Sequence, residues 1–171
     1  MNTQTSAPTQ TIAQRSVAAG KTTTPEENKA IVRRMLDEAF NARNLDLLDE
    51  LVSPNFLGHP LSAFPPVDAH GIEGRRKEYE LFYAAMPDVH AETLEMAAEG
   101  DLVFVRDRFT GTHQGELAGY PPTGNQVDYM VVHIYRIADG KIVDDWTLLD
   151  SLSLMQQIGA VPPLAPPNGK G

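Results

Sequence analysis

The second half of the chain reads as four long extended segments, roughly Val89 to Ala98, Leu102 to His113, Val127 to Ala138 and Ile142 to Leu149. This run limits the fold more than any other feature. Turn signals separate the segments at Glu99-Gly100-Asp101, in the long Gly115 to Gly124 loop, and at Asp139-Gly140. Each strand therefore returns antiparallel to the one before it. The first half is helical. Thr24-Pro25-Glu26-Glu27 is a capping box with proline at the first helical position, and Ile31, Met35 and Phe40 mark one face of a helix running to about Asn41. Asn44 can cap a short second helix through Leu45, Leu48 and Leu51, stopped by Ser53-Pro54. Asn55 to His59 reads as a short strand, Pro60 to His70 as a Pro-rich loop long enough to be a lid, and Gly71 to Ala85 as a third helix. Helices followed by a meander imply an α+β fold. Three N-terminal helices would pack in the concave face of a strongly curved, mainly antiparallel sheet, leaving a pocket at the open end of the cone.

With 171 residues and 42% hydrophobic content, the chain suits one domain. We expect a disordered leader over 1–24, a single domain over 25–161 and a flexible Pro/Gly tail over 162–171. A net charge of −9 argues against nucleic acid or an anionic membrane surface as partner. The leader lacks an apolar signal-peptide core and no eighteen apolar residues run together, so a cytoplasmic location is expected. Cysteine is absent, and His59, His70, His90, His113 and His133 show no metal-ligand spacing, so no metal site is expected.

The last hairpin gathers the chemistry. A two-residue turn at Asp139-Gly140 sets Ala138 opposite Lys141. Without a bulge, His133 then faces Trp146, Val131 faces Leu148 and Tyr129 faces Asp150. A carboxylate among such side chains is poorly solvated and becomes a usable acid/base, which points to Asp150 as the catalytic residue. The alternative for Asp150 is a cap on the following short helix. His133 is read either as an assisting acid/base or as a buried, hydrogen-bonded histidine. Arg108 is read as an inward clamp or an outer-face ion pair, His113 as part of a strand-end bend beside the pocket, and His59 as a residue of the pocket mouth or a plain loop histidine.

Several stretches then combine: Met86-Pro87-Asp88, Gly111-Thr112-His113-Gln114-Gly115, Pro122-Thr123-Gly124, Asp139-Gly140-Lys141-Ile142, Trp146 with Asp150 four residues on, and Gln156-Gln157-Ile158-Gly159. In that order and spacing, residues from about Pro25 to Pro163 resemble the SnoaL-like polyketide (ester) cyclases of the nuclear-transport-factor-2-like superfamily. The resemblance implies an α+β cone, a homodimer or homotetramer assembled through sheet faces, and no cofactor. It also implies intramolecular aldol-type cyclisation of a polyketide-like ester, a small apolar or aromatic carbonyl compound. The catalytic aspartate would be Asp150, helped by His133, in a pocket of His59, Arg108, His113, Tyr129, Trp146 and Leu148. The same fold also serves non-catalytic binding modules, hydrolases and isomerases, and these remain alternatives.

Overall fold

The computed structural model describes residues 23–62, 65 and 69–162. Most of the expected leader, nearly all of the tail and part of the 60–70 loop lie outside the described residues. The capping box forms as read: Thr24 Oγ1 accepts from the Glu27 amide at 3.2 Å, and the Thr24 amide donates to Glu27 Oε2 at 2.7 Å. Helix α1 (Pro25–Arg34) continues into a wider π-helical stretch, Met35–Asn41. That widening keeps Met35, Leu36, Ala39 and Phe40 all buried. A 3₁₀ turn at Leu45–Leu47 leads into α2 (Leu48–Leu51), and β1 (Val52–Pro60) starts directly behind it, earlier than the spacing suggests. Then come α3 (Gly71–Ala85), β2 (His90–Glu99), β3 (Leu102–Thr112), β4 (Gln126–Ala138), β5 (Lys141–Leu149) and α4 (Ser151–Gln157).

The strands form one sheet in the order β1-β5-β4-β3-β2, with β1 parallel to β5 and every other pairing antiparallel. Because β1 and β2 are opposite edges, α3, which joins them, crosses the sheet from edge to edge. Alternation along the strands defines the inner face: Val103, Val105, Asp107 and Phe109 of β3, and Tyr129, Val131, His133, Tyr135 and Ile137 of β4, are buried. Val32, Met35 and Ala39 from the first helix and Ala85 from α3 are fully buried in the same core. Full burial of an aliphatic side chain such as Val32 contributes about 1.5–3 kcal/mol.

Motif residues fasten this frame. Asp88, just past α3, accepts from the Thr112 amide at 2.6 Å and from its hydroxyl at 2.7 Å, tying the helix end to the end of β3. Those two bonds hold the Asp88 carboxyl below its usual range. The Gln157 side chain bonds both backbone groups of Asp128 at 2.7 and 2.8 Å, fixing α4 against the start of β4.

The last hairpin departs from its expected register. Asp139 and Gly140 take φ of 54° and 75°, as a type I′ turn requires, and Ala138 faces Lys141. A β-bulge at Val143 then inserts one residue, because Ile137 pairs with Ile142 but Arg136 pairs with Asp144. Beyond it His133 faces Thr147, not Trp146, and Val131 faces Leu149, not Leu148. A slip of one residue exchanges the faces of a strand. Asp145, Thr147 and Leu149 therefore point into the cone, while Trp146 and Leu148 point out.

Candidate active site

The concave face and the helices enclose a cavity of about 760 Å3, counting its open mouth. Leu36, Phe40, Phe82, Phe109, Val131 and Leu149 supply apolar wall. Pro60, Ser62, Pro65 and Ala69 line it from the side of the Pro-rich loop. The described part of that loop is pinned: Ser62 Oγ donates to the Leu149 carbonyl and accepts from the Leu149 amide, both at 2.8 Å. At its base the Gly58 amide donates to the Ala69 carbonyl at 3.0 Å, and a Cβ on Gly58 would stand 2.8 Å from the Ala69 methyl. Only glycine permits that approach.

A linked group of polar side chains interrupts the apolar wall. His133, 6% exposed, lines it from β4. Its Nδ1 lies 3.1 Å from Asp145 Oδ1 and 3.2 Å from Thr147 Oγ1. A carboxylate only accepts, so Nδ1 carries the proton and the lone pair of the neutral ring sits on Nε2. Nε2 is buried and has no hydrogen-bond partner among the described residues. Burial opposes a charge on His133, but the adjacent Asp145 carboxylate outweighs it, and the imidazole is held above its usual range. Asp145 is fully buried, which alone would raise its carboxyl; His133 and Arg75 reverse this and lower it to about 2.

Arg75 comes from α3 and is 2% exposed. Its guanidinium donates to Asp145 Oδ2 at 2.6 Å and pairs with Glu78 Oε2 at 2.8 Å, while packing over the Phe56 ring at 4.6 Å. Glu78 lines the cavity one helical turn after Arg75. Burial raises its carboxyl above the usual range, against the pull of Arg75. Tyr129, four residues before His133 on the same face of β4, stacks on Phe109 at 5.8 Å and has a buried hydroxyl with no partner among the described residues. Burial raises that phenol, so it is a proton donor at neutral pH.

Of the residues singled out from sequence, the cavity brings together His133, Tyr129 and, at its mouth, His59. The His59 ring turns away, stacked on Trp146 at 4.8 Å, with Nε2 2.9 Å from Asp144 Oδ1. Trp146 and Leu148 lie on the outer face, a correction that follows from the bulge. Asp150 is exposed and does not line the cavity: its carboxylate caps α4, accepting from the Ser153 amide at 3.0 Å, while its own amide donates to the Met130 carbonyl at 2.9 Å. Arg108 is an exposed outer-face residue paired with Asp128 at 2.5 Å, since alternation points it away from buried Asp107 and Phe109. His113 is fully buried but outside the cavity wall, with Nδ1 3.1 Å from Thr123 Oγ1 across the loop it closes. Sequence reasoning missed Arg75, Glu78, Asp145 and Thr147. A signal for Arg75 was present, because it falls between Ile72 and Tyr79 on the apolar face of α3.

Among the described residues no group of three or more His, Asp or Glu side chains is placed to hold a metal ion, and no helix is long and apolar enough to cross a membrane.

Known proteins share this architecture. The family model of the SnoaL-like polyketide cyclases matches residues 30–158. The aklanonic acid methyl ester cyclase DnrD of Streptomyces peucetius is 33% identical over 137 residues, covering 75% of this chain and 88% of that protein. A crystal structure from Jannaschia sp. CCS1, described as a SnoaL-like polyketide cyclase, superposes with a TM-score of 0.72 at 28% identity, covering 84% of this chain and all of the other. AclR of Streptomyces galilaeus, described as a hydroxylase, reaches 0.71 at 29% identity over 83% of this chain and 87% of its own.

Proposed function

Because the chain belongs to the SnoaL-like polyketide cyclase family, we propose that it closes a ring in a polyketide-like ester by cofactor-independent intramolecular aldol condensation, with His133 as the base. The observation that carries this reading is the buried Nε2 of His133, without a partner among the described residues, on a residue of the apolar cavity wall, while Nδ1 is held by Asp145. A C–H flanked by carbonyls gives a delocalised enolate, so the protein has to supply only a base, orientation and dry walls. Nε2 removes that proton. The enolate carbon forms the new bond to a carbonyl carbon of the same substrate, and the oxygen released from the C=O double bond takes up a proton. Asp145 fixes the tautomer and stabilises the imidazolium, and Arg75 keeps Asp145 ionised. The Tyr129 phenol is suited to hold a substrate oxygen farther along the cavity.

His133→Gln is expected to lower kcat on aromatic polyketide esters about 10²–10⁴-fold with binding retained. Turnover by the variant at the wild-type rate would remove His133 from the mechanism. Product structure separates the alternatives. Ring closure gives an isomer, or that isomer less one water, with a new carbon–carbon bond seen by NMR; isomerisation gives no new ring, hydrolysis splits the ester into acid and alcohol, and a binding module returns the ester intact.

We also place self-association, as dimer or tetramer, on the outer sheet face. Supporting this, Phe104, Val132 and Leu148 there remain 41%, 37% and 50% exposed, and Val132 and Leu148 are paired neighbours.

A further inference from the structure

The proposed reaction moves one proton from carbon to oxygen, and His133 alone accounts only for its removal. Glu78 is the carboxyl among the described lining residues of the cavity, and this scheme leaves it unused. It projects from α3, its side chain is 14% exposed, and it shares the Arg75 guanidinium with Asp145: Nη1 reaches Glu78 at 2.8 Å and Nη2 reaches Asp145 at 2.6 Å. Arg75 thus joins the carboxylate behind the imidazole to a second carboxyl on the cavity wall. Asp145 of β5, Arg75 of α3 and His133 of β4 are the charged groups that face Glu78. Tyr79 and Tyr135 adjoin Arg75, and Asp107 of β3, hydrogen-bonded to Thr93 at 2.7 Å, stands toward His133.

Among Asp145, Arg75, Glu78 and His133, ionised Asp145 and Arg75 cancel. Burial penalises net charge, and these four groups are neutral together when Glu78 and His133 hold one proton between them, on either the carboxyl or the ring. We propose, resting on the cyclase reading, that Glu78 is a second catalytic residue and that it shares a single recycled proton with His133. In the reactive form His133 is neutral and Glu78 is protonated. His133 Nε2 takes the C–H proton, the carbon–carbon bond forms, and Glu78 delivers its own proton to the new alkoxide. The cluster is left with an imidazolium and a carboxylate, and transfer of that proton back to Glu78 restores the starting form. No proton is drawn from solvent. The raised carboxyl of Glu78 fits this assignment.

Two measurements test it. In the wild-type protein with labelled glutamate and histidine, the Glu78 carboxyl carbon and the His133 ring are followed by NMR as pH is raised. The expected result is coupled titration, with part of the Glu78 change coinciding with that of His133. A single Glu78 step at the ordinary glutamate position overturns the shared proton, whether or not the protein is a cyclase. In kinetics, Glu78→Gln is expected to lower kcat about 100-fold or more. KM should change less than about threefold, and the alkaline limb of a bell-shaped kcat profile should vanish, with Glu78→Asp restoring part of both. Unchanged kcat, or an alkaline limb that survives in Glu78→Gln, overturns the assignment. A wild type that titrates as a coupled pair but cyclises no ester retains the shared proton and refutes the cyclase reading.

Discussion

Asp145 and Asp150 stand on one arm of the same hairpin, five residues apart, and their surroundings give them opposite chemistry. Asp145 is fully buried between a histidine and an arginine, whereas Asp150 is exposed at the start of α4. Asp150→Ala is therefore expected to lose a helix cap worth about 1 kcal/mol and to leave kcat and KM unchanged, as a denaturant melt and a steady-state assay would show. Asp145→Asn is expected to leave the His133 tautomer undefined. It should also shift the acid limb of activity to lower pH, because the Asp145 charge and hydrogen bond are what raise the imidazole. In the wild type that limb should lie above the ordinary imidazole value of about 6.5.

At the scale of elements, α3 supplies more of the site than its sequence suggests. Arg75 occupies an apolar-face position, and its charge is tolerated there because Asp145 and Glu78 receive it and Phe56 covers it. Arg75→Ala would strand Asp145 without its counter-charge, and a loss of about 3–5 kcal/mol in unfolding free energy is expected in a urea titration. The elements themselves were legible. The α1 capping box, the order of strands β2 to β5 and the Asp139-Gly140 turn all appear as read, because each follows from local chemistry or periodicity. The site was less legible. His133 and Tyr129 could be found because alternation along β4 survives, but their partners on β5 could not, because no glycine or proline marks the bulge at Val143. Arg75 meets Asp145, and so links Glu78 to it, only after α3 has crossed the sheet, a contact spanning about seventy residues that no periodicity predicts. The residues that carry the family resemblance, such as Asp88, Gln157 and Asp150, hold the frame and lie away from the cavity wall.

For the whole molecule, the buried cluster sets how stability varies with acidity. The Asp145 carboxyl is lower in the folded protein, about 2, than its unfolded value near 4, so its contribution is present above about pH 4 and is lost as pH falls toward 2. His133 and Glu78 are raised on folding, so their contributions are present at low pH and are lost as pH rises through their folded values. Thermal melts across pH are expected to show stability declining on both sides of a maximum, and Asp145→Asn should flatten the acid side. Assembly belongs to this scale too. Leu148→Glu on the outer face is expected to reduce the mass seen by light scattering to that of a monomer while leaving ester turnover per chain intact. A variant that keeps its wild-type mass would place the contact elsewhere.

The extra residue at Val143 also bears on how this chain is aligned with others. Deleting it would give a plain hairpin in which Arg136 still meets Asp144 and Tyr135 still meets Asp145. A gap opposite Val143 is thus structurally silent, and a relative one residue shorter there presents the same wall to its substrate. A gap placed a few positions later, between Asp145 and Leu149, would exchange lining for exterior and match residues that never share a role. His133 and Asp145 are thus fixed points of the wall, and Val143 is the position at which the hairpin can lose a residue without moving them.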